Sequence, residues 1–309
     1  MGRLAFLFPG QASQSVGMDK FLREYPDAVD FLNRIDEMTG VHKLSEIISE
    51  GPPDILTRTD NVQPAITMIS IATMNVLVAA GVKPEGTAGH SLGEYAALVT
   101  AGVLLPGIAA KLTRIRGELM QKCADRHPGG MLALIGIGLD EARECVEEAS
   151  SIGPVGIANV NAEGQVVISG SRDALDRAGK LCKEKGARRI IPLQVSGAWH
   201  SPLMKDAAKG LEGALDDAGF YEPEIPVVAN VTADLIRSGD EAKRLLTEQV
   251  TSPVLWADSI KKLQKNGFDT FIEVGPGKVL QGLMKRVKDV IVYGTHDREA
   301  LEETLKAFT

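Results

Sequence analysis

Cysteine is scarce: Cys123, Cys145 and Cys182 are the only three in 309 residues. The number is odd and no two stand in a C-x-x-C spacing. A disulfide framework is therefore not expected, and a reducing, cytoplasmic setting is. Histidine is scarce too, with five residues. No ligand spacing links His and Cys, so neither a metal nor a tightly bound cofactor is expected. A basic excess is missing: 34 Lys plus Arg stand against 41 Asp plus Glu, a formal net charge of −7. That argues against nucleic-acid binding, while leaving room for a local basic patch toward an acidic partner or phosphates. Long apolar runs are missing as well. The most apolar stretch, Ile66 to Val82, is broken by Thr67, Ser70, Thr73 and Asn75. It reads as a buried helix and not a membrane span. Leu4 to Phe8 is too short for a signal peptide.

What is present is an ordinary folding composition, 44% hydrophobic and 24% charged, of a length suited to one large domain carrying a smaller insert. Leu4 to Phe8 reads as a buried strand ended by Pro9-Gly10. Residues 60 to 80 read as a helix, Thr87 to His90 as an extended segment, and Leu92 to Thr100 as a second helix. Residues 107 to 123 form an amphipathic helix with Ile108, Leu112, Ile115, Leu119 and Cys123 on one stripe. The rhythm then changes to strand (Met131 to Ile137), helix (Asp140 to Ala149), strands (Val155 to Val160, Gln165 to Ser169), helix (Ala174 to Lys185) and strand (Arg189 to Val195). This β-α-β-β-α-β order predicts a ferredoxin-like small domain over 128 to 196. Val227 to Val231, Thr270 to Val274 and Val290 to Tyr293 read as further buried strands. The expected fold is α/β: a large catalytic domain with a mostly parallel sheet, formed by 1 to 127 and 197 to 309, with the small domain inserted.

Gly89-His90-Ser91-Leu92-Gly93 is a G-x-S-x-G segment between a strand and a helix. Such an elbow projects a serine hydroxyl above a sheet, with the next backbone N–H facing a developing oxyanion. A serine nucleophile needs a base. His90 neighbours the serine in sequence and should point elsewhere. His42 and His127 lie in polar stretches, and His296 lies in a terminal Thr-His-Asp-Arg segment. His200, in a loop between a strand and a helix, is the candidate. Asp125, Asp140, Asp173 and Asp176 fit a linker, helix starts or solvated faces, so no catalytic acid is assigned. Arg116 falls about 40° from Leu112 on the helical wheel, inside the apolar stripe. A buried guanidinium needs an anionic partner. Either an internal Asp or Glu, or a carboxylate on a substrate, meets that need, unless the side chain snorkels to the surface.

Several segments together resemble the malonyl-CoA:acyl-carrier-protein transacylases of fatty-acid and polyketide synthesis. They are Phe8-Pro9-Gly10-Gln11-Ala12-Ser13-Gln14, Gly89 to Tyr95, Arg116-Gly117 with Met120, Asn159-Val160-Asn161 through Gly164 to Gly170, His200 to Met204, and Glu273 to Leu280. They occur in family order across nearly the whole chain. The resemblance implies a hydrolase-like large domain and a ping-pong transfer of malonyl from malonyl-CoA to acyl carrier protein. Ser91 would be the nucleophile and His200 the base. The backbone N–H groups of Gln11 and Leu92 would form the oxyanion hole, Arg116 would pair with the malonyl carboxylate, and Gln11 and Trp199 would touch substrate. Gln249 matches the position whose main-chain carbonyl orients the histidine, which would stand in for the missing acid. The expected assembly is a monomer. One departure stands out: Ala12 occupies a position where glycine is common, at a cost if the backbone there has positive φ. A serine hydrolase would share Ser91 and His200 but has no need of Arg116. A carrier-protein docking module without chemistry would need none of the three.

Overall fold

The computed structural model describes residues 2–308. Among them are nine strands: β1 (Arg3–Phe8), β2 (Gly86–Gly89), β3 (Gly129–Ile135), β4 (Val155–Ala162), β5 (Gln165–Ser171), β6 (Arg189–Pro192), β7 (Val227–Val228), β8 (Phe268–Glu273) and β9 (Ile291–Gly294). The larger sheet runs β7-β2-β1-β8-β9, and all its ladders are parallel. The smaller runs β4-β5-β3-β6, with all ladders antiparallel. The expected α/β class is met, and the larger sheet is wholly parallel instead of mostly so.

Four short helices, α1 (Pro26–Leu32), α2 (Ile35–Thr39), α3 (Leu44–Glu50) and α4 (Pro53–Thr57), precede α5 (Thr59–Ala79), α6 (Gly93–Thr100) and α7 (Pro106–Arg126). α8 (Leu139–Ala149) and α9 (Arg172–Glu184) belong to the smaller sheet. α10 (Lys205–Asp216), α11 (Gly239–Gln249), α12 (Trp256–Lys265), α13 (Val279–Met284) and α14 (Arg298–Phe308) complete the chain.

A parallel sheet needs cover on both faces, and β1 shows how its apolar run supplies it. Leu4, Phe6 and Phe8 enter the main core with α5 and α6. Ala5 and Leu7 point the other way, into a cluster with Trp256, Ile260 and Leu263 of α12. α5 is the one described helix long and apolar enough to cross a membrane, and 78% of its most apolar window is buried inside the protein. The smaller sheet is covered on one face by α8 and α9, where Leu134, Ile168, Val146 and Cys182 share a core. Its opposite face sends Met131, Ala133 and Val167 into the main core. A short parallel bridge also joins the two bodies: Val160 N–H donates to Val254 O, and Val254 N–H to Ala158 O, both at 2.9 Å.

Three local details differ from expectation. β6 stops at Pro192, short of Val195: Leu193 N–H still donates to Met131 O at 3.0 Å, and the chain then turns, with Val195 N–H donating to Leu193 O. β7 stops at Val228 because the chain turns back on itself, with Ala229 N–H donating to Asp234 O. On α7 the buried face is rotated from the predicted stripe. Ile108, Ile115 and Leu119 are only half-buried, while Ala109, Leu112, Thr113, Arg116 and Met120 are buried. Arg116 thus lies at the middle of the buried face and not at its flank.

Ala12 follows β1 in a turn with φ 79°, the left-handed region that costs a residue with a Cβ about 1 kcal/mol or more. Ala12→Gly should raise the unfolding free energy by roughly 1 kcal/mol and Tm by about 2 °C. An unchanged or lower denaturation midpoint would count against strain at this turn.

Candidate active site

β1, β2, β7 and β8 all end on one side of the larger sheet, where open α/β sheets hold ligands. Ser91 joins β2 to α6 with φ 50°. A Cβ on Gly89 would run into Gly93, and one on Gly93 into the Phe8 carbonyl. Two glycines therefore let the strand and helix meet closely enough to force the serine into the left-handed region. One side chain pins both sides of the turn. Asn230, just beyond β7, accepts from Ser91 N–H and donates to Gly89 O, each at 2.6 Å. Contacts of this kind are what allow a strained residue to persist.

Ser91 Oγ and His200 Nε2 lie 2.7 Å apart. On the far side of the ring, Nδ1 is 2.8 Å from the main-chain carbonyl of Gln249 at the end of α11. Burial pushes His200 down to about 3, with the positive charge of Arg116 as a second cause and the Gln249 carbonyl opposing them. The ring is accordingly neutral: Nδ1–H donates to the carbonyl and Nε2 is left to accept the serine proton. His42 and His127 are exposed, as are Asp125, Asp140, Asp173 and Asp176. His90 points away from Ser91's hydroxyl, with its Nε2 2.9 Å from Asn161 Oδ1 of β4.

Arg116 is 1% exposed. Its Nη1 donates to Gln63 Oε1 at 2.7 Å, and its Nη2 to Gln249 Oε1 at 2.9 Å and to Ser91 Oγ at 3.2 Å. Nε has no partner. No described carboxylate forms an ion pair with it. Of the two partners open to this residue, the internal acid is therefore not the one used. Two neutral amide oxygens orient the guanidinium without cancelling its charge.

Behind this layer lies Glu94, 1% exposed. Its Oε2 accepts from Gln249 Nε2 at 2.6 Å and from Asn230 N–H at 3.3 Å, while its Oε1 has no partner. Desolvation raises it to about 7, against the pull of these donors and of Arg116. Gln249 Nε2 also donates to Ser91 O at 3.0 Å. One glutamine thus touches the base through its backbone and the arginine, the elbow and Glu94 through its side chain. The N–H groups of Gln11 and Leu92 donate to no acceptor among the described residues. Leu92's stands just before α6, at the positive end of the helix, while those of Gly93, Glu94 and Tyr95 are paired with His90 O, Ser91 O and Leu92 O.

A cavity of about 690 Å³ opens between the two sheets onto Ser91 and His200, with Gln11, Met120, Trp199 and Leu283 among its walls. Trp199 is 5% exposed and belongs to the main core. Among the described residues no three His, Cys, Asp or Glu side chains group as metal ligands would. Gln63, Glu94 and Asn230 are not singled out by sequence reasoning. Gln63 carried the same signal as Arg116, a polar residue on the buried face of an apolar helix.

His200 and Glu94 titrate in opposite senses. Unfolded, His200 returns to about 6.5 and Glu94 to about 4.5. His200, depressed in the fold, adds stability that is lost as pH falls below 6.5. Glu94, raised in the fold, adds stability that is lost as pH rises from 4.5 to 7. Between pH 4.5 and 6.5, unfolding amounts to moving a proton from Glu94 to His200, and the two slopes cancel. Glu94→Gln should uncover the His200 slope. Relative to wild type, its denaturation midpoint should fall by the equivalent of roughly 1 kcal/mol per pH unit on acidification from 6.5 to 4.5. Parallel pH curves for the two proteins would contradict these ionisation states.

Comparison with known proteins shows the family. The family model described as "Acyl transferase domain" matches residues 5–300. The malonyl CoA-acyl carrier protein transacylase of Bacillus subtilis strain 168 is 43% identical over 99% of this chain and 98% of its own length. The crystal structure of MCAT from Streptococcus pneumoniae superposes with a TM-score of 0.95 at 36% identity, covering 99% of this chain and 100% of that one. A type II PKS acyl-carrier protein in complex with its malonyl-transacylase gives a TM-score of 0.94 at 36% identity, covering 99% of each. The match runs through the large sheet, the small sheet and the residues around Ser91 alike, and the chain belongs to the acyl transferase domain family.

Proposed function

We propose that this protein is a malonyl-CoA:acyl-carrier-protein S-malonyltransferase, serving fatty-acid or polyketide synthesis through a Ser91 acyl-enzyme. The observation that carries the reading is Arg116: a buried, permanently charged group 3.2 Å from the serine hydroxyl with no acid of its own. The names of the relatives, and of the solved complex with a carrier protein, point the same way.

In the proposed cycle His200 Nε2 takes the Ser91 proton as Oγ attacks the thioester carbonyl carbon of malonyl-CoA. The N–H groups of Gln11 and Leu92 receive the oxyanion. On collapse the C–S bond breaks, His200 returns its proton to sulfur, and CoA leaves as the thiol. The phosphopantetheine thiol of acyl carrier protein then attacks the serine ester by the same steps in reverse. The Gln249 carbonyl holds the histidine tautomer throughout and stabilises the imidazolium as a dipole. Arg116 supplies selectivity. A malonyl carboxylate satisfies a charge that an acetyl group would leave buried and unpaired, and the unpaired case is the costly one. Trp199 and Met120 form the wall against which an α-substituent would press.

The remaining expectations fit this reading. In the smaller sheet the first and third strands in chain order lie at the centre, which supports the ferredoxin-like description. The elbow on a parallel sheet supports the hydrolase-like one, and 128 to 196 remains our small-domain boundary. The three cysteines are free and buried, in keeping with a cytoplasmic enzyme, and a monomer remains our reading of the assembly. The steps above call on no metal or cofactor.

A hydrolase would use the same elbow, so the decisive test separates loading from turnover to water. Wild type mixed with malonyl-CoA alone should gain one malonyl group by intact mass, and Ser91→Ala should gain none. Acetyl-CoA should load far less. Arg116→Ala should lower kcat/KM for malonyl-CoA by about 100-fold or more, the scale of a buried charge pair. Release of free CoA without an adduct would instead assign the protein to the hydrolases.

A further inference from the structure

Glu94 is the nearest buried acid to Arg116, yet it does not touch it. The Gln249 amide stands between them, accepting from Arg116 through Oε1 and donating to Glu94 through Nε2. The amide cannot be reversed. Turned over, it would face Arg116 with a donor and Glu94 and Ser91 O with an acceptor. Glu94 Oε2 is thereby fixed by two donors, while Oε1 is buried with no partner. An oxygen in that condition is poised to carry a proton.

Resting on the malonyltransferase reading, we infer that Glu94 is the site's counter-charge and takes up a proton when a malonyl carboxylate pairs with Arg116. Among the described residues Arg116 is the cation that favours the Glu94 carboxylate, and it acts through a single amide in a buried interior. An entering carboxylate consumes that cation and adds a second negative charge to the same buried pocket. Two carboxylates sharing one guanidinium behave as a pair of which one holds a proton. The malonyl group cannot hold it while bound to the guanidinium, so Glu94 does. Burial holds the Glu94 carboxyl up at about 7, which places this uptake near neutrality.

The surroundings offer no other acceptor of the change. Tyr95, next on α6, is itself pushed up by burial. His90 and His200 are both lowered by burial. Of the elements packed on α6, β2 carries no ionisable side chain, Asp60 of α5 and Arg3 of β1 are paired with Arg58 and Glu85, and Arg114 and Glu118 of α7 pair with each other. Gln63, Asn230 and Gln249 are neutral.

The test is made on the whole protein with malonyl-CoA and no carrier protein, at pH 7.5 in weak buffer with an indicator dye. Proton uptake and malonyl loading by intact mass are read together. Wild type should take up between about 0.5 and 1 proton per loaded chain. Above pH 7, its kcat/KM for malonyl-CoA should fall by up to tenfold per unit. Glu94→Gln should load with no uptake and a flat profile over that range. Wild-type loading without proton uptake would overturn the inference by itself, whether or not the variant folds. Uptake that persists in Glu94→Gln would move the proton elsewhere and overturn it equally. Failure of wild type to load would sink the malonyltransferase reading, and this inference with it.

Discussion

A positive charge is kept in the protein interior beside Ser91 with no described carboxylate in contact with it. Water would solvate a guanidinium far better than two amide oxygens do. The fold therefore has to hold Arg116 in place by force of its surroundings. α7 presents it from the middle of a buried face, α5 brings Gln63 to one nitrogen, and α11 brings Gln249 to another. Each acceptor is neutral, and each sits on a different long helix of the main core. Burial is the main cause of the shift at both His200 and Glu94; the same charge adds to the depression of the base and opposes the rise of Glu94.

The elbow is the mechanical counterpart. Ser91 and His200, the two residues whose atoms meet at 2.7 Å, both have positive φ. Asn230 clamps the first from a neighbouring strand end, and the Gln249 carbonyl steadies the second. Strain of this order requires a rigid frame around it. The parallel sheet supplies that frame through β1, β2 and β7, whose apolar runs are buried on both sides. Neither residue depends on a charged acid, which suits a pocket already asked to receive a carboxylate.

Much of the fold was legible because its signals are local. The continuous run Leu4 to Phe8, the alternating strands of the small sheet and the periodicity of α7 all speak through neighbours in sequence. The ends of β6 and β7 were not, since the turns at Val195 and Ala229 are set by backbone hydrogen bonds that carry no side-chain signal. Ser91, His200 and Arg116 could be singled out because each is conspicuous where it stands: a serine between glycines, a histidine in a strand-end loop, a charge among apolar residues. Gln249 came only through family resemblance. Glu94, Asn230 and Gln63 stayed hidden, because their roles arise from contacts between positions 53 to 155 residues apart. A buried Glu one turn beyond the serine looks in sequence like any polar residue on a helix.

The bridge between Ala158–Val160 and Val254 has a consequence for how a large ligand gains access. It stitches the small sheet to the stretch of chain that leaves Gln249. The His90–Asn161 bond adds a second stitch at the elbow itself. Swinging the two bodies apart like a clamshell would tear the supports of the histidine and the serine together. Widening the mouth of the cleft in that way would cost all of these bonds. With those bonds kept, the way in is the opening of the cavity itself, as a keyhole admits a shaft and not the hand that holds it.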